Sequence, residues 1–247
     1  MADVQGKVAL VTGGARRVGR AVALELARAG MDVAITYRRS GDEADSLGRE
    51  VRAMGRRFEA IPADFGRDEA VEEVARAVER SLGSCYALVN NASCFDPTPF
   101  DRLSREEFDR QMAVNARGPV FLMQRLAGAL GSHASPGRIV NFIDIHVMGE
   151  PLVGHLAYNA SKAVLQEATM TLAMELAPRV TVNAVAPGVV AWADSYSPAE
   201  REAYLRRVPL GRAGTPIDAA AAVRYLVCDA DYCTGQVIRL DGGRLLT

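Results

Sequence analysis

From about residue 7 to residue 188, short apolar runs alternate with longer amphipathic ones, and no internal repeat or linker interrupts them. That alternation points to βαβ units. A parallel strand buried on both faces is apolar throughout, while its crossover helix carries one apolar stripe. The runs Lys7 to Thr12, Val33 to Tyr37, Phe58 to Ile61, Tyr86 to Asn90, Arg138 to Ile143, Val180 to Val185 and Val237 to Leu240 predict seven parallel strands. A chain of 247 residues can bury most of its apolar surface around one core, so the expectation is one α/β domain over residues 1–247.

Val18, Ala21, Val22, Leu26 and Ala29 follow helical spacing until Gly30 stops the helix. Further starts are marked by Ser104 with Glu107, a capping box, and by Thr215, Pro216 and Asp218, an N-cap, an N1 proline and an acidic first turn. The stretch from Val189 to Val208 carries no strong period. It follows the sixth strand, where a parallel sheet places its ligand crevice, and is expected to form a substrate lid over about 189–208.

Hydrophobic residues make up 49% of the chain and the formal net charge is −1, which favours neither disorder nor a nucleic-acid partner. No apolar stretch is long enough to span a bilayer. The first strand begins at Lys7, leaving no room for a signal peptide, so a cytoplasmic location and no membrane association are expected. Cys85, Cys94, Cys228 and Cys233 lack paired metal-site spacing, and His133, His146 and His155 do not share a helix face, so no metal is expected.

Thr12-Gly13-Gly14-Ala15-Arg16-Arg17-Val18-Gly19 lies between the first strand and the first helix, where backbone N–H groups and the helix dipole hold a diphosphate. A dinucleotide enzyme using NAD places an acidic residue about 20 residues later to bind the ribose hydroxyls. Here the second strand runs into Arg38-Arg39-Ser40 instead, and guanidinium groups there favour the 2′-phosphate of NADPH. Tyr158 and Lys162, four apart, project from one face of a helix expected over His155 to Ala177. A free tyrosine has a pKa of about 10, so proton transfer near neutrality calls for a cation to stabilise the phenolate, and Lys162 fits that role. Asn115 precedes Pro119 by four residues, so its carbonyl loses its usual helical donor. Either that carbonyl serves a water or a proton relay, or the helix simply kinks.

Together the TGxxxxxG turn, Asn90-Asn91-Ala92, Asn115, Tyr158-x-x-x-Lys162, Pro187-Gly188 and Asp241-Gly242-Gly243 resemble the short-chain dehydrogenase/reductase family over essentially the whole chain. The resemblance implies a Rossmann-like, doubly wound sheet in the order 3-2-1-4-5-6-7 with helices on both faces, and a homotetramer. It also implies a cofactor site built from Gly13, Arg17, Val18, Gly19, Arg38, Arg39, Ser40, Asn91, Ala92, Ser93, Pro187 and Gly188, with Asp64 near the adenine. Tyr158 would be the general acid, Lys162 would bind the nicotinamide ribose, and Asn115 would complete the catalytic set.

Two departures from the family narrow the resemblance to pteridine reductases. Arg17 stands where most members have glycine, and Ile145 stands at the spacing of the usual catalytic serine, with Asp144 beside it. Pteridine reductases carry arginine in the turn, an Arg-Ser pair after strand two and an aspartate in place of the serine. They are also similar to this chain in Asn90-Asn91-Ala92-Ser93-Cys94-Phe95 followed by Pro97-Thr98-Pro99. On that resemblance Ser93, Phe95, Asp144 and Tyr158 bind a pterin-like substrate, with Phe95 either stacking on the heterocycle or anchoring a loop beneath the lid. Asp144 lies fourteen residues before Tyr158, one more than the family spacing. If the extra residue lies within His146 to Glu150, Asp144 keeps its place; if earlier, it misses the substrate. The expected activity is reduction of a pterin-like C=N bond by NADPH. The alternatives are a ketone or 3-oxoacyl reductase and a non-catalytic NADPH-binding regulator.

Overall fold

The computed structural model describes residues 3–192 and 196–247. Seven strands are present: β1 (Val8–Val11), β2 (Asp32–Tyr37), β3 (Phe58–Pro62), β4 (Cys85–Asn90), β5 (Gly137–Phe142), β6 (Val180–Pro187) and β7 (Val237–Leu240). All pairings are parallel, and the order is β3-β2-β1-β4-β5-β6-β7. The strands expected from sequence differ from these by at most two residues at either end.

The helices are α1 (Arg17–Arg28), α2 (Gly41–Ala53), α3 (Ala70–Ser81), α4 (Arg105–Met112), α5 (Gly118–Leu130), α6 (Leu156–Glu175), α7 (Pro198–Leu205) and α8 (Pro216–Arg224). Successive strand side chains point to opposite faces, which divides the core in two. Ala9, Val11, Val33 and Ile35 pack beneath α1, α2 and α8, against Val22, Leu26, Leu47 and Val223. Val8, Leu10, Leu88 and Ile139 pack on the other side with Val74, Val78, Leu122, Leu126 and Leu165 of α3, α5 and α6. Burial of each such aliphatic side chain contributes roughly 1.5–3 kcal/mol, so the continuous apolar runs act as the fold's main drive.

Both expected N-termini are present as capping boxes, Ser104 with Glu107 and Thr215 with Asp218. Two expectations need correction. The helix around Asn115 is not a simple kink: Ala113–Arg117 forms one wide π turn between α4 and α5, in which the Gly118 N–H donates to the Ala113 carbonyl. Pro119 has no N–H to offer Asn115, and the chain closes a wider ring instead. The segment read as a lid is not irregular throughout, because α7 lies within it and starts at a third capping box, Ser197 with Glu200. Of that expected lid, Ala193, Asp194 and Ser195 lie outside the described residues.

β1 pairs with β2 on one side and β4 on the other, so the winding direction reverses there and a crevice opens beyond the strands' C-terminal ends. Thr12, Asn91, Asp144 and Gly188 all follow strand ends along that edge.

Candidate active site

The turn after β1 is laced to the end of β4. Thr12 Oγ1 accepts from the backbone N–H groups of Asn91 and Ala92, both at 3.0 Å, while Asn91 Nδ2 donates to the carbonyls of Thr12 (2.8 Å) and Gly13 (3.1 Å). Gly13 has φ +64°, and a Cβ there would stand 3.0 Å from Ala92 Cα; one on Gly19 would reach 2.6 Å from Asn91 Nδ2. Neither position admits a side chain. Arg16 makes no side-chain cap for α1, so first-turn N–H groups face the turn, the arrangement that binds a diphosphate. Gly13, Arg17, Val18, Gly19, Asn91, Ala92, Ser93 and Gly188 line one cleft of about 940 Å³ together with Phe95, Asp144 and Tyr158. Pro187 ends β6 just before it. These residues of the expected dinucleotide site share one cleft, where close backbone approach depends on glycine.

Arg38 and Asp64 line a neighbouring hollow of about 650 Å³, with Arg67, Arg110 and Arg117. Arg39 is exposed, and Ser40 occupies the N-cap of α2 without a side-chain cap bond. Arg38 and Arg39 follow directly from β2, where a 2′-phosphate is expected.

Tyr158 is buried in the first turn of α6, and its hydroxyl donates to Asp144 Oδ2 at 2.7 Å. Asp144 Oδ1 accepts from the His146 N–H at 3.0 Å, which fixes the carboxylate. Asp144 thus faces the Tyr158 hydroxyl despite the longer spacing between the two residues. Burial, then the Asp144 charge, pushes the Tyr158 phenol well above its usual range. Lys162 is buried too; its ammonium donates to the Phe142 carbonyl at 2.7 Å and stands 5.7 Å from the Tyr158 ring centre. Burial lowers its pKa to about 8. Desolvation and the Asp144 carboxylate thus act on the phenol in the direction opposite to the one expected from Lys162.

Asn115 acts through its side chain. Its Oδ1 accepts from the Cys94 N–H (2.7 Å) and Ser93 Oγ (3.2 Å), and its Nδ2 donates to the Cys94 carbonyl (2.8 Å) and Ser161 Oγ (3.0 Å). It fastens the Ser93-Cys94 loop to the turn of α6 that carries Tyr158. Phe95 stacks on His155 (centroids 4.8 Å apart) and meets the Tyr158 ring edge-on at 4.8 Å, so it is a loop anchor that also lines the cleft.

Sequence reasoning missed the far wall of the cleft, formed by Tyr196, Tyr204, Glu150, Arg207 and Arg244. The Tyr204 hydroxyl accepts from the Val189 N–H at 3.0 Å, and a Cβ on Gly188 would come within 2.7 Å of it, which explains that glycine. Arg17, with φ +51°, donates from Nη2 to the carbonyls of Ala191 (2.9 Å) and Trp192 (2.7 Å), tying the phosphate turn to the covering segment. The Ser197-Pro198-x-Glu200 signal was available to place α7; nothing in the local sequence placed Tyr204 over Gly188.

A family model described as enoyl-(acyl carrier protein) reductase matches residues 13–244. The chain belongs to the short-chain dehydrogenase/reductase family. It is 36% identical, over the whole of both chains, to a 3-oxoacyl-[acyl-carrier-protein] reductase of Synechocystis sp.. Among solved structures it is similar to a blue fluorescent protein from a metagenomic library in complex with NADPH, with TM-score 0.91, 33% identity, and 98% of this chain and 99% of that one covered. It is also similar to FolM alternative dihydrofolate reductase 1 from Brucella canis complexed with NADP, with TM-score 0.91, 36% identity, and 99% and 96% covered. The narrower resemblance to pteridine reductases is not reflected in the names of these curated relatives, among them 3-oxoacyl-[acyl-carrier-protein] reductases and a 3beta-hydroxysteroid dehydrogenase. Among the described residues no helix is long and apolar enough to cross a membrane, and no cluster of metal-ligating side chains is present.

Proposed function

We propose that this NADP-dependent oxidoreductase reduces a C=N bond in a flat, nitrogen-rich substrate of the dihydropterin class. The observation that carries the reading is the Tyr158–Asp144 hydrogen bond. Reduction of a ketone benefits from a neutral donor beside the tyrosine, because negative charge develops on oxygen. A carboxylate only accepts, so Asp144 suits a substrate that brings its own N–H groups. The same carboxylate makes Tyr158 a weaker acid, which favours transfer to a basic imine nitrogen over a weakly basic carbonyl oxygen.

NADPH, when bound, supplies the hydride that reaches the substrate carbon. Tyr158 gives its proton to the nitrogen, leaving a phenolate that Lys162 steadies as an ammonium until a solvent proton restores it. Gly13, Gly19, Asn91 and the first turn of α1 would hold the diphosphate, and Arg38 and Arg39 would take the 2′-phosphate. Phe95 and the aromatic rings of Tyr196 and Tyr204 wall the substrate end.

A second reading, 3-oxoacyl reduction, is favoured by the Synechocystis relative. NADPH oxidation measured with dihydrobiopterin and with acetoacetyl-CoA separates the two. Turnover of the pterin is expected; turnover of the thioester alone puts the second reading in its place. A binding-only regulator would turn over neither, and the arrangement of buried Tyr158 and Lys162 with Asp144 argues against it.

A further inference from the structure

Glu150 lies in the loop that starts at Asp144, and it joins two arginines from distant parts of the chain. Its carboxylate accepts from Arg207 Nη1 (2.8 Å) and Nη2 (3.0 Å) and from Arg244 Nη1 (2.7 Å) and Nη2 (3.2 Å). Arg207 follows α7 by two residues, and Arg244 belongs to the C-terminal turn. Arg244 is only 4% exposed and lies 5.5 Å over the Tyr204 ring. Thr247 completes the knot, its hydroxyl donating to the Arg207 carbonyl at 2.8 Å. An exposed ion pair contributes about 0–1 kcal/mol, whereas paired bidentate contacts that include a buried guanidinium form a geometrically fixed network.

The same loop holds the catalytic carboxylate. His146 donates its N–H to Asp144, and its ring Nδ1 lies 2.6 Å from the Glu150 carbonyl. All three arms, Glu150, Arg207 and Arg244, line the cleft. At the other end of the covering segment, Arg17 holds the carbonyls of Ala191 and Trp192. Ala191 and Trp192 are therefore tied to the phosphate turn, and Arg207 behind α7 to the loop of Asp144.

We propose that Glu150 is a positioning residue, which through Arg207 and Arg244 holds α7, with Tyr196 and Tyr204, against the substrate end of the cleft. It touches no reacting atom; it sets where α7, Tyr196 and Tyr204 stand relative to Asp144. The inference rests on the family's oxidoreductase chemistry and on the cleft, not on the pterin reading.

Trp192, the chain's single tryptophan, reports on the segment directly. Acrylamide quenching of its fluorescence is compared for wild type, Glu150→Gln, Arg207→Ala and Glu150→Asp, alongside kcat, KM and NADPH affinity. Loss of charge-assisted bonds should raise KM about tenfold and quenching about twofold in Glu150→Gln and Arg207→Ala, with kcat and NADPH affinity within about twofold. Glu150→Asp should recover part of both. Unchanged quenching and KM overturn the proposal, and so does a joint fall of KM performance, kcat and NADPH affinity, the mark of general loosening. The kinetic arm uses whichever compound the wild type reduces. If that is a ketone and not a pterin, the proposed function fails while the clamp is still judged; quenching needs no substrate.

Discussion

Tyr158 and Asp144 are joined by a 2.7 Å hydrogen bond in which the phenol is the donor and a carboxylate the acceptor. Burial and that negative charge both raise its pKa, which keeps the phenol protonated, the state the proposed general acid needs. Removing the hydroxyl leaves the ring against Phe95 and the phosphate turn untouched. Tyr158→Phe should therefore lower kcat by about 10² to 10⁴ while NADPH affinity, read by fluorescence titration, stays near the wild-type value. Retention of more than about a tenth of the rate would remove Tyr158 from the role.

Lys162 gives the site its alkaline limit. Burial depresses its pKa from 10.5 to about 8, so in the native enzyme the ammonium is lost as pH rises through about 8. Because the unfolded chain keeps that proton up to 10.5, this group's contribution to stability rises between the two values; the cation that steadies the phenolate disappears over the same window. The expected kcat/KM for NADPH falls above pH about 8 with one ionisation. A profile flat to pH 10 in wild type, or the same fall in Lys162→Met, would be incompatible with the assignment.

Arg38 and Arg39 should set the cofactor preference. Taking one guanidinium away from the 2′-phosphate, by Arg38→Ala or Arg39→Ala, should cost roughly 1.5–3 kcal/mol, a ten- to hundredfold weakening of NADPH affinity. NADH affinity should change little, because NADH has no 2′-phosphate. Equal kinetic efficiency with the two cofactors in wild type would contradict the prediction.

The strands were legible because a doubly buried strand needs an uninterrupted apolar run, and Gly13 and Gly19 because the turn leaves no space for Cβ. Helical spacing put Tyr158 and Lys162 on one face, and the other motifs around them singled the pair out. What escaped was long-range. Arg17 reaching Ala191 and Trp192, Tyr204 seated on Gly188, and Glu150 between Arg207 and Arg244 all join residues more than fifteen apart or on separate segments, and no local period encodes them. The hydrogen bond from Tyr158 to Asp144 escaped for the same reason, since it depends on the folded position of the loop after β5.

The substrate class turns on Asp144 and Phe95. If Asp144 accepts from N–H groups of an amino-pyrimidine ring, Asp144→Asn keeps the shape but exchanges an acceptor for a donor, and pterin turnover should fall about ten- to hundredfold through loss of a charge-assisted bond. Asp144→Ser supplies the neutral hydroxyl that a carbonyl oxygen needs, so the same change should help a ketone while harming a pterin. Phe95→Ala removes the ring that meets Tyr158 edge-on and lines the cleft, and KM for a stacked heterocycle should rise by a factor corresponding to roughly 1–3 kcal/mol, the range found for bases on aromatic rings. An acyl thioester has no flat ring to stack, and its KM should respond less. The measurement is NADPH oxidation by wild type and the three variants with dihydrobiopterin and with acetoacetyl-CoA. Opposite responses of the two substrates to Asp144→Ser would place the carboxylate at the centre of substrate choice. Wild-type turnover of the thioester without turnover of the pterin would assign the site to ketone reduction, with Asp144 retained to hold Tyr158 in its donor state.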